Sequence, residues 1–218
     1  MKRRDFCKCF SVISLYSLLP DLSYANSDNI IVGELYQDSQ KITSGAKSEF
    51  ENEIFETNEK LSFIKNGDSG YLIRPNSKVQ FLKNKIHKIF KGSLHGIFGK
   101  QTEELVINTP RGTIGIRGTA TYIEHQSEFD RTYICNCYGK TNIYDDNSKL
   151  LKVIQSKYHS PIIINKNYDL DQSPYNYPLN HFDDNIENIE KYLNRTPNWE
   201  LPDNKKQFLA ADQEKLNI

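Results

Sequence analysis

Between Leu61 and Ile123 the apolar residues come in short alternating runs, each closed by Gly, Pro, Asn or Asp, and this spacing predicts strands rather than helices. Leu61 to Ile64, Tyr71 to Ile73 and Val79 to Leu82 read as hairpin strands around Asn66-Gly67-Asp68 and Pro75-Asn76-Ser77. Asn-Gly supplies the positive φ that a tight hairpin demands. Ile86 to Phe90 and Leu94 to Phe98 read as two more strands parted by glycines, with Gly96 counted as a loosely constrained turn residue. The stretch Val106 to Ile123 organises the rest. Thr109-Pro110-Arg111-Gly112 predicts a turn, because Pro110 has a fixed φ and no N–H while Gly112 tolerates positive φ. After it Ile114, Ile116, Ala120 and Tyr122 share one parity and Thr113, Arg117, Thr119 and Thr121 the other, the signature of a strand with one wet face. Gly115 and Gly118 inside that pattern predict a bulge, a bend or a backbone passing close by.

Outside this region the pattern thins. Ile30-Ile31-Val32 before Gly33 predicts one short strand in the otherwise polar Asn26 to Phe50, and Leu150 to Ile154 and Pro161 to Ile164 are two further apolar runs. Asn165 to Pro178 reads as a loop rich in Tyr, Asn, Pro and Asp. Ile186, Ile189 and Leu193 lie on one helical face, which predicts a short helix near 183–194 that docks on the sheet. Asp183 or Asp184 would cap it and Arg195-Thr196-Pro197 would end it. Asp203 to Ile218 reads as a polar terminal helix or a frayed tail. The fold class expected is mainly β with one short C-terminal helix.

The 218 residues give room for one domain with extensions, and 28 basic against 28 acidic residues leave neither a nucleic-acid footprint nor a polybasic membrane patch. Arg3 and Arg4 precede an apolar run from Cys9 to Leu19, followed by Ser23-Tyr24-Ala25. That order predicts an export signal over residues 1–25, cut near Ala25 and too short to span a bilayer. Arg3-Arg4-x-Phe6-x-Lys8 is similar to the twin-arginine motif, read by a translocase that carries folded cargo. An ordinary secretory signal is the plainer alternative. The expected location is the periplasm, with Cys135 and Cys137 the cysteines left after processing and no stable membrane span.

The run T-P-R-G-T-I-G-I-R-G-T-A-T-Y, Thr109 to Tyr122, resembles the signature of FecR-type domains, and so do Gly67 to Phe81, Phe90-Lys91-Gly92-Ser93-Leu94 and Thr132 to Gly139. The resemblance covers roughly Glu53 to Tyr144. It implies an antiparallel β-sandwich or coiled-strand domain over 26–144 with its core at 53–144, followed by a C-terminal extension over 145–218. It makes Thr109, Pro110, Gly112, Gly115, Gly118 and Thr119 structural motif residues. It also implies a non-catalytic sensing or binding module acting through a protein partner at the cell envelope. The best-known FecR-type proteins are membrane-spanning sigma-factor regulators, whereas here the domain follows the export signal almost directly, so that role is not carried over.

Two sets of side chains are site candidates. Arg111 and Arg117 are guanidinium groups suited to an anion or a partner's carboxylate, or to turn carbonyls of the domain itself. Cys135 and Cys137 are two apart on an expected strand, so both sulfurs face one way. Buried filler, a redox pair and a metal site are all open to them. Were His159 or His181 to meet that face, a Cys2His or Cys2His2 set would result, suited to zinc or another borderline-soft transition metal. There is no Gly-x-Ser-x-Gly elbow, phosphate loop or His-Glu-x-x-His, and no enzyme is expected.

Overall fold

The computed structural model describes residues 29–42, 44–46, 50, 52–82, 86–100, 102–173 and 178–201. The export segment with Arg3, Arg4 and Ala25, and the terminal stretch from Asp203, lie outside the described residues. In chain order the strands are β1 (Asn29–Gly33), β2 (Leu35–Gln37), β3 (Gln40–Ile42), β4 (Gly45–Ala46), β5 (Glu53–Glu56), β6 (Ser62–Asn66), β7 (Ser69–Ile73) and β8 (Lys78–Phe81). There follow β9 (Ile86–Ile97), β10 (Leu105–Asn108), β11 (Thr113–Ile116), β12 (Ala120–Gln126), β13 (Arg131–Tyr144), β14 (Leu150–Ser156), β15 (Ser160–Ile164) and β16 (Leu170–Gln172). Among the described residues one α-helix, α1 (Asp183–Tyr192), follows them. The fold is mainly β, as the alternation predicts.

Two long strands join two sheets. The first half of β9 pairs with β8 and β10, its second half with β7 and β12. Likewise β13 pairs through its first half with β12 and β15, and through its second half with β11 and β14. The first sheet therefore runs β4-β1-β6-β7-β9-β12-β13-β15-β16, and the second β3-β2-β5-β8-β9-β10-β11-β13-β14. β14, β15 and β16 continue the sheets past Tyr144. β9 is one strand where the sequence predicts two, with Gly92 at φ +74° near its middle and Gly96 well inside it, not in a turn.

The main core lies between the sheets and includes Ile31, Ile64, Ile73, Leu94, Ile114, Ile123, Ile134 and Ile164. Their sequence neighbours Ile30, Phe63, Leu72, Tyr122, Tyr133, Cys135 and Ile163 point to the opposite face of the first sheet and form a second cluster with Ile186 and Ile189 of α1. The first sheet is buried on both faces, which is why its strands read as continuous apolar runs.

The organising stretch is not one strand. Thr109 to Gly112 closes the β10–β11 hairpin as expected, with Thr109 N–H donating to the Gly112 carbonyl at 3.0 Å and Gly112 at φ +90°. At Gly118, φ +73°, the chain leaves β11 in the second sheet and enters β12 in the first. Ile114 and Ile116 consequently face the main core while Ala120 and Tyr122 face the second cluster. The face expected to be wet is buried at Thr119 and Thr121, because Thr119 Oγ1 donates to Asn136 Oδ1 at 2.8 Å and Thr121 Oγ1 lies 3.4 Å from Thr141 Oγ1. Hydroxyls satisfied in this way are tolerated inside.

α1 packs on the outer face of the first sheet, where a Cβ on Gly70 would lie 2.6 Å from Ile189 Cγ2. Its N-cap is Phe182, not Asp183 or Asp184, and the Phe182 N–H donates to Asn185 Oδ1 at 3.0 Å. Buried Glu190 accepts from the Tyr138 hydroxyl and from Arg195 Nε at 2.7 Å, and Arg195 Nη1 donates to the Asp68 carbonyl at 3.0 Å. These contacts hold the tail to the sheet. Among the described residues no helix is long and apolar enough to cross a membrane.

A candidate metal centre beneath the tail

The site sits on the outer face of the first sheet, under the tail. Pairing sets one row of it: Leu72 on β7, His95 on β9, Tyr122 on β12, Cys135 on β13 and Pro161 on β15 lie side by side in register. Next to this row the β12–β13 ladder slips. Ala120 faces Tyr138 while Thr121 faces Asn136, so Cys137 is the extra residue of a β-bulge, two residues before Gly139 at φ +87°. Bulges re-aim side chains. Here Cys137 stays on the face of Cys135 although the ladder beyond it changes parity.

Both histidines named from the sequence reach this face. His159, just before β15, places Nδ1 3.5 Å from Cys135 Sγ, and His181, just before α1, places Nε2 3.4 Å from Cys137 Sγ. The four ligand atoms of Cys135, Cys137, His159 and His181 all lie within 4.8 Å of one another. Zinc bonds of about 2.3 Å to sulfur and about 2.0–2.1 Å to nitrogen set a tetrahedral S···N edge of about 3.5–3.6 Å. Both measured pairs match that edge. Each histidine is also oriented from behind. His159 Nε2 is 2.9 Å from Asp183 Oδ1, and Asp183 Oδ2 accepts from the Tyr158 hydroxyl at 2.8 Å. His181 Nδ1 is 2.6 Å from the Leu179 carbonyl, and its ring stacks on Tyr122 at 4.5 Å and 11°. A carboxylate or carbonyl on the far nitrogen is the usual support of a metal-ligating imidazole, because it fixes both tautomer and ring plane.

The electrostatics are those of a charge-separated pocket. Burial pushes the Cys135 thiol up, but the hydrogen bond with Cys137 and the fields of His181 and His159 outweigh it and hold Cys135 well below the usual thiol range. Burial and the hydrogen bond to Cys135 push Cys137 well above that range. Burial pulls His159 down, yet Asp183 and Cys135 prevail and raise it to about 9. These shifts favour a proton on His159, which Asp183 backs, over one on Cys135. Tyr158 and the chain's one tryptophan, Trp199, flank the site, with the Trp199 ring 6.2 Å from that of His159.

The arginines are placed elsewhere. Arg111 Nε donates to Asp130 Oδ1 at 2.8 Å and its Nη2 donates to Oδ2 at 2.5 Å, a two-pronged pair inside the chain. Arg117 is exposed at the other end of β11. Sequence reasoning missed His95, whose Nε2 is 3.8 Å from Cys137 Sγ, and gave Asp183 a capping role instead of its place behind His159. Only the strand register, which brings β9 within one strand of β13, would have found His95.

No family model matches the chain, and no curated protein matches it. Two crystal structures from Parabacteroides distasonis, each described as a "putative anti-sigma factor", resemble part of it with 11% identity and a TM-score of 0.46. The match covers 55% of this chain and 58% of theirs. The resemblance to FecR-type domains therefore rests on the motif residues themselves.

Proposed function

We propose that this protein is an exported, non-catalytic β-module built around a zinc centre, with Cys135, Cys137, His159 and His181 as ligands and a protein partner at the cell envelope. One observation carries the metal reading: two thiols and two imidazoles converge within 4.8 Å of one another, with a sulfur–nitrogen pair at each histidine near a zinc edge and each imidazole backed on its far nitrogen. A divalent ion would neutralise two thiolates and leave only the Asp183 carboxylate, which Tyr158 and His159 hydrogen-bond, whereas a monovalent ion would leave a further buried negative charge. Zinc would be structural in this setting, tying strand to tail. A redox pair is the weaker reading, because both sulfurs are fully buried and thiol exchange needs contact between sulfurs. The periplasmic location rests on the Arg3-Arg4 segment, and a translocase for folded cargo fits a protein that takes its ion before export.

The test is elemental analysis of mature protein purified without chelator, beside a Cys135→Ser/Cys137→Ser double mutant whose folding is checked by circular dichroism. About one zinc per chain in the wild type and none in the folded mutant is expected. Wild-type protein without stoichiometric metal would overturn the reading, as would metal retained by the mutant. A pull-down from the envelope fraction tests the partner, and reproducible recovery of cytoplasmic enzymes alone would end that part of the proposal.

A further inference from the structure

Three of the chain's five histidines meet at this site, and His95 is the one that completes no tetrahedron. It is fully buried on β9, with its ring edge-on to Tyr122 at 5.9 Å and to His181 at 5.0 Å, so its position is fixed by packing. Nε2 points at Cys137 Sγ from 3.8 Å, and Nδ1 is buried with no partner among the described residues. That empty far side separates His95 from the other two. His159 and His181 are each supported on the nitrogen that faces away from the sulfurs, as ligands are, and His95 is not. The same empty side assigns the proton. A buried N–H without an acceptor is rarer and costlier than a bare acceptor, so the unpartnered Nδ1 is the unprotonated nitrogen and Nε2 carries the hydrogen.

We infer that His95 is the N–H···S donor to the Cys137 thiolate in the loaded centre, a positioning residue that tunes the metal–sulfur bond without joining it. The inference rests on the metal reading above. When an ion binds, Cys137 gives up its proton and becomes a second buried thiolate. An N–H aimed at that sulfur disperses its charge, holds the side chain at the ligand position and makes the sulfur less nucleophilic. The slipped ladder explains why Cys137 needs such a donor, since the bulge leaves its backbone without a cross-strand partner to hold it in place. Zinc, or cobalt(II) as its spectroscopic stand-in, is the ion concerned.

The experiment loads cobalt(II) into wild type, His95→Phe and His95→Gln, recording the sulfur-to-cobalt charge-transfer band, the d–d bands and the affinity from competition with a chelator. His95→Phe should move the charge-transfer band to lower energy and weaken binding by about 10–100-fold, the usual cost of an outer-shell partner. His95→Gln, which keeps an N–H donor, should recover most of both, and the d–d bands should stay tetrahedral throughout. Unchanged band and affinity in His95→Phe would overturn the inference, and so would a d–d spectrum showing that a nitrogen ligand had been lost. Should His95→Phe not fold, His95→Leu takes its place against His95→Gln: a shifted band and weakened binding in Leu that Gln restores support the donor role, and a wild-type band and affinity in Leu overturn it. Wild type that takes no cobalt at all would instead overturn the metal reading on which this one stands.

Discussion

Asp183→Asn separates two jobs that one carboxylate performs. In the metal-free protein Asp183, with Cys135, keeps His159 protonated up to about pH 9, against an ordinary histidine value of 6.5. The folded value is raised, so the ion pair's stabilisation is complete below about pH 6.5 and is lost as pH rises through about 9. Zinc needs the neutral ring, and at pH 7 it must displace a proton held about two pH units too tightly. That costs about 2.7 kcal/mol, or about 100-fold in affinity. The Asp183→Asn substitution would remove this competition, because burial, the largest influence on His159, then acts with only Cys135 against it. The same change weakens the support behind the ligand, which costs about 10–100-fold at every pH. The two effects nearly cancel at pH 7, and only the second survives at pH 9. The ratio of mutant to wild-type Kd for zinc, measured in chelator-buffered metal, should therefore climb from near one at pH 7 to about 10–100 at pH 9. A ratio that does not vary with pH would refute the raised His159 and the role of Asp183 in holding its proton.

Three other outcomes follow from the packing and the export segment. Gly96→Val and Gly118→Val should destabilise the fold by comparable amounts, about 1–3 kcal/mol each in urea unfolding. A Cβ at Gly96 would overlap the Phe98 ring, while Gly118 sits at φ +73°. A harmless Gly96→Val would mean that β9 is not packed as described. Glu190→Ala leaves the buried Tyr138 hydroxyl unpaired and takes the carboxylate from the partly exposed Arg195, and should cost about 2–3 kcal/mol, whereas Lys157→Ala removes only an exposed pair with Glu200 and should cost under about 1 kcal/mol. Equal melting temperatures for these two would show that the tail is not held through Glu190. Replacing Arg3 and Arg4 with lysine should leave the protein in the cytoplasm on fractionation, and undiminished periplasmic delivery would point to the ordinary secretory route.

The hairpins, the Thr109–Gly112 turn and the docked helix were legible because each depends on neighbours in sequence. Asn-Gly sets a turn wherever it lies, and Ile186 with Ile189 marks a face within one helical turn. What stayed hidden depends on register. Ile116 and Ala120 share a parity, but Gly118 sends the chain from one sheet to the other between them, and parity says nothing across such a bend. Thr119 and Thr121 looked wet because hydroxyls usually are, and only Asn136 and Thr141, brought across by β13, give them buried partners. The residue types of the candidate metal centre were readable from Cys-x-Cys and two histidines. Their convergence was not, because His159 and His181 arrive through a strand and a tail whose distances from Cys135 are set by pairing that local pattern does not encode.

The distribution of the four candidate ligands over the fold decides what the proposed centre would do. Cys135 and Cys137 belong to β13 and His159 sits just before β15, so all three stay with the sheet when the tail is released, although His159 then loses Asp183 behind its ring. His181 and its neighbour Asp183 come with the tail, as do Ile186, Ile189 and Glu190. An ion bound by all four must then strengthen tail docking by the same free energy that docking adds to the ion's affinity. Trp199, at the far end of the docked segment and 6.2 Å from the His159 ring, is placed to report the event in its fluorescence. Were the tail released, three protein ligands and an open position would remain, which is how catalytic rather than structural zinc is held. With the tail in place the fourth position is filled and the sulfurs are sealed from solvent. In the proposed zinc centre His181 is thus the ligand that would make the site structural rather than catalytic.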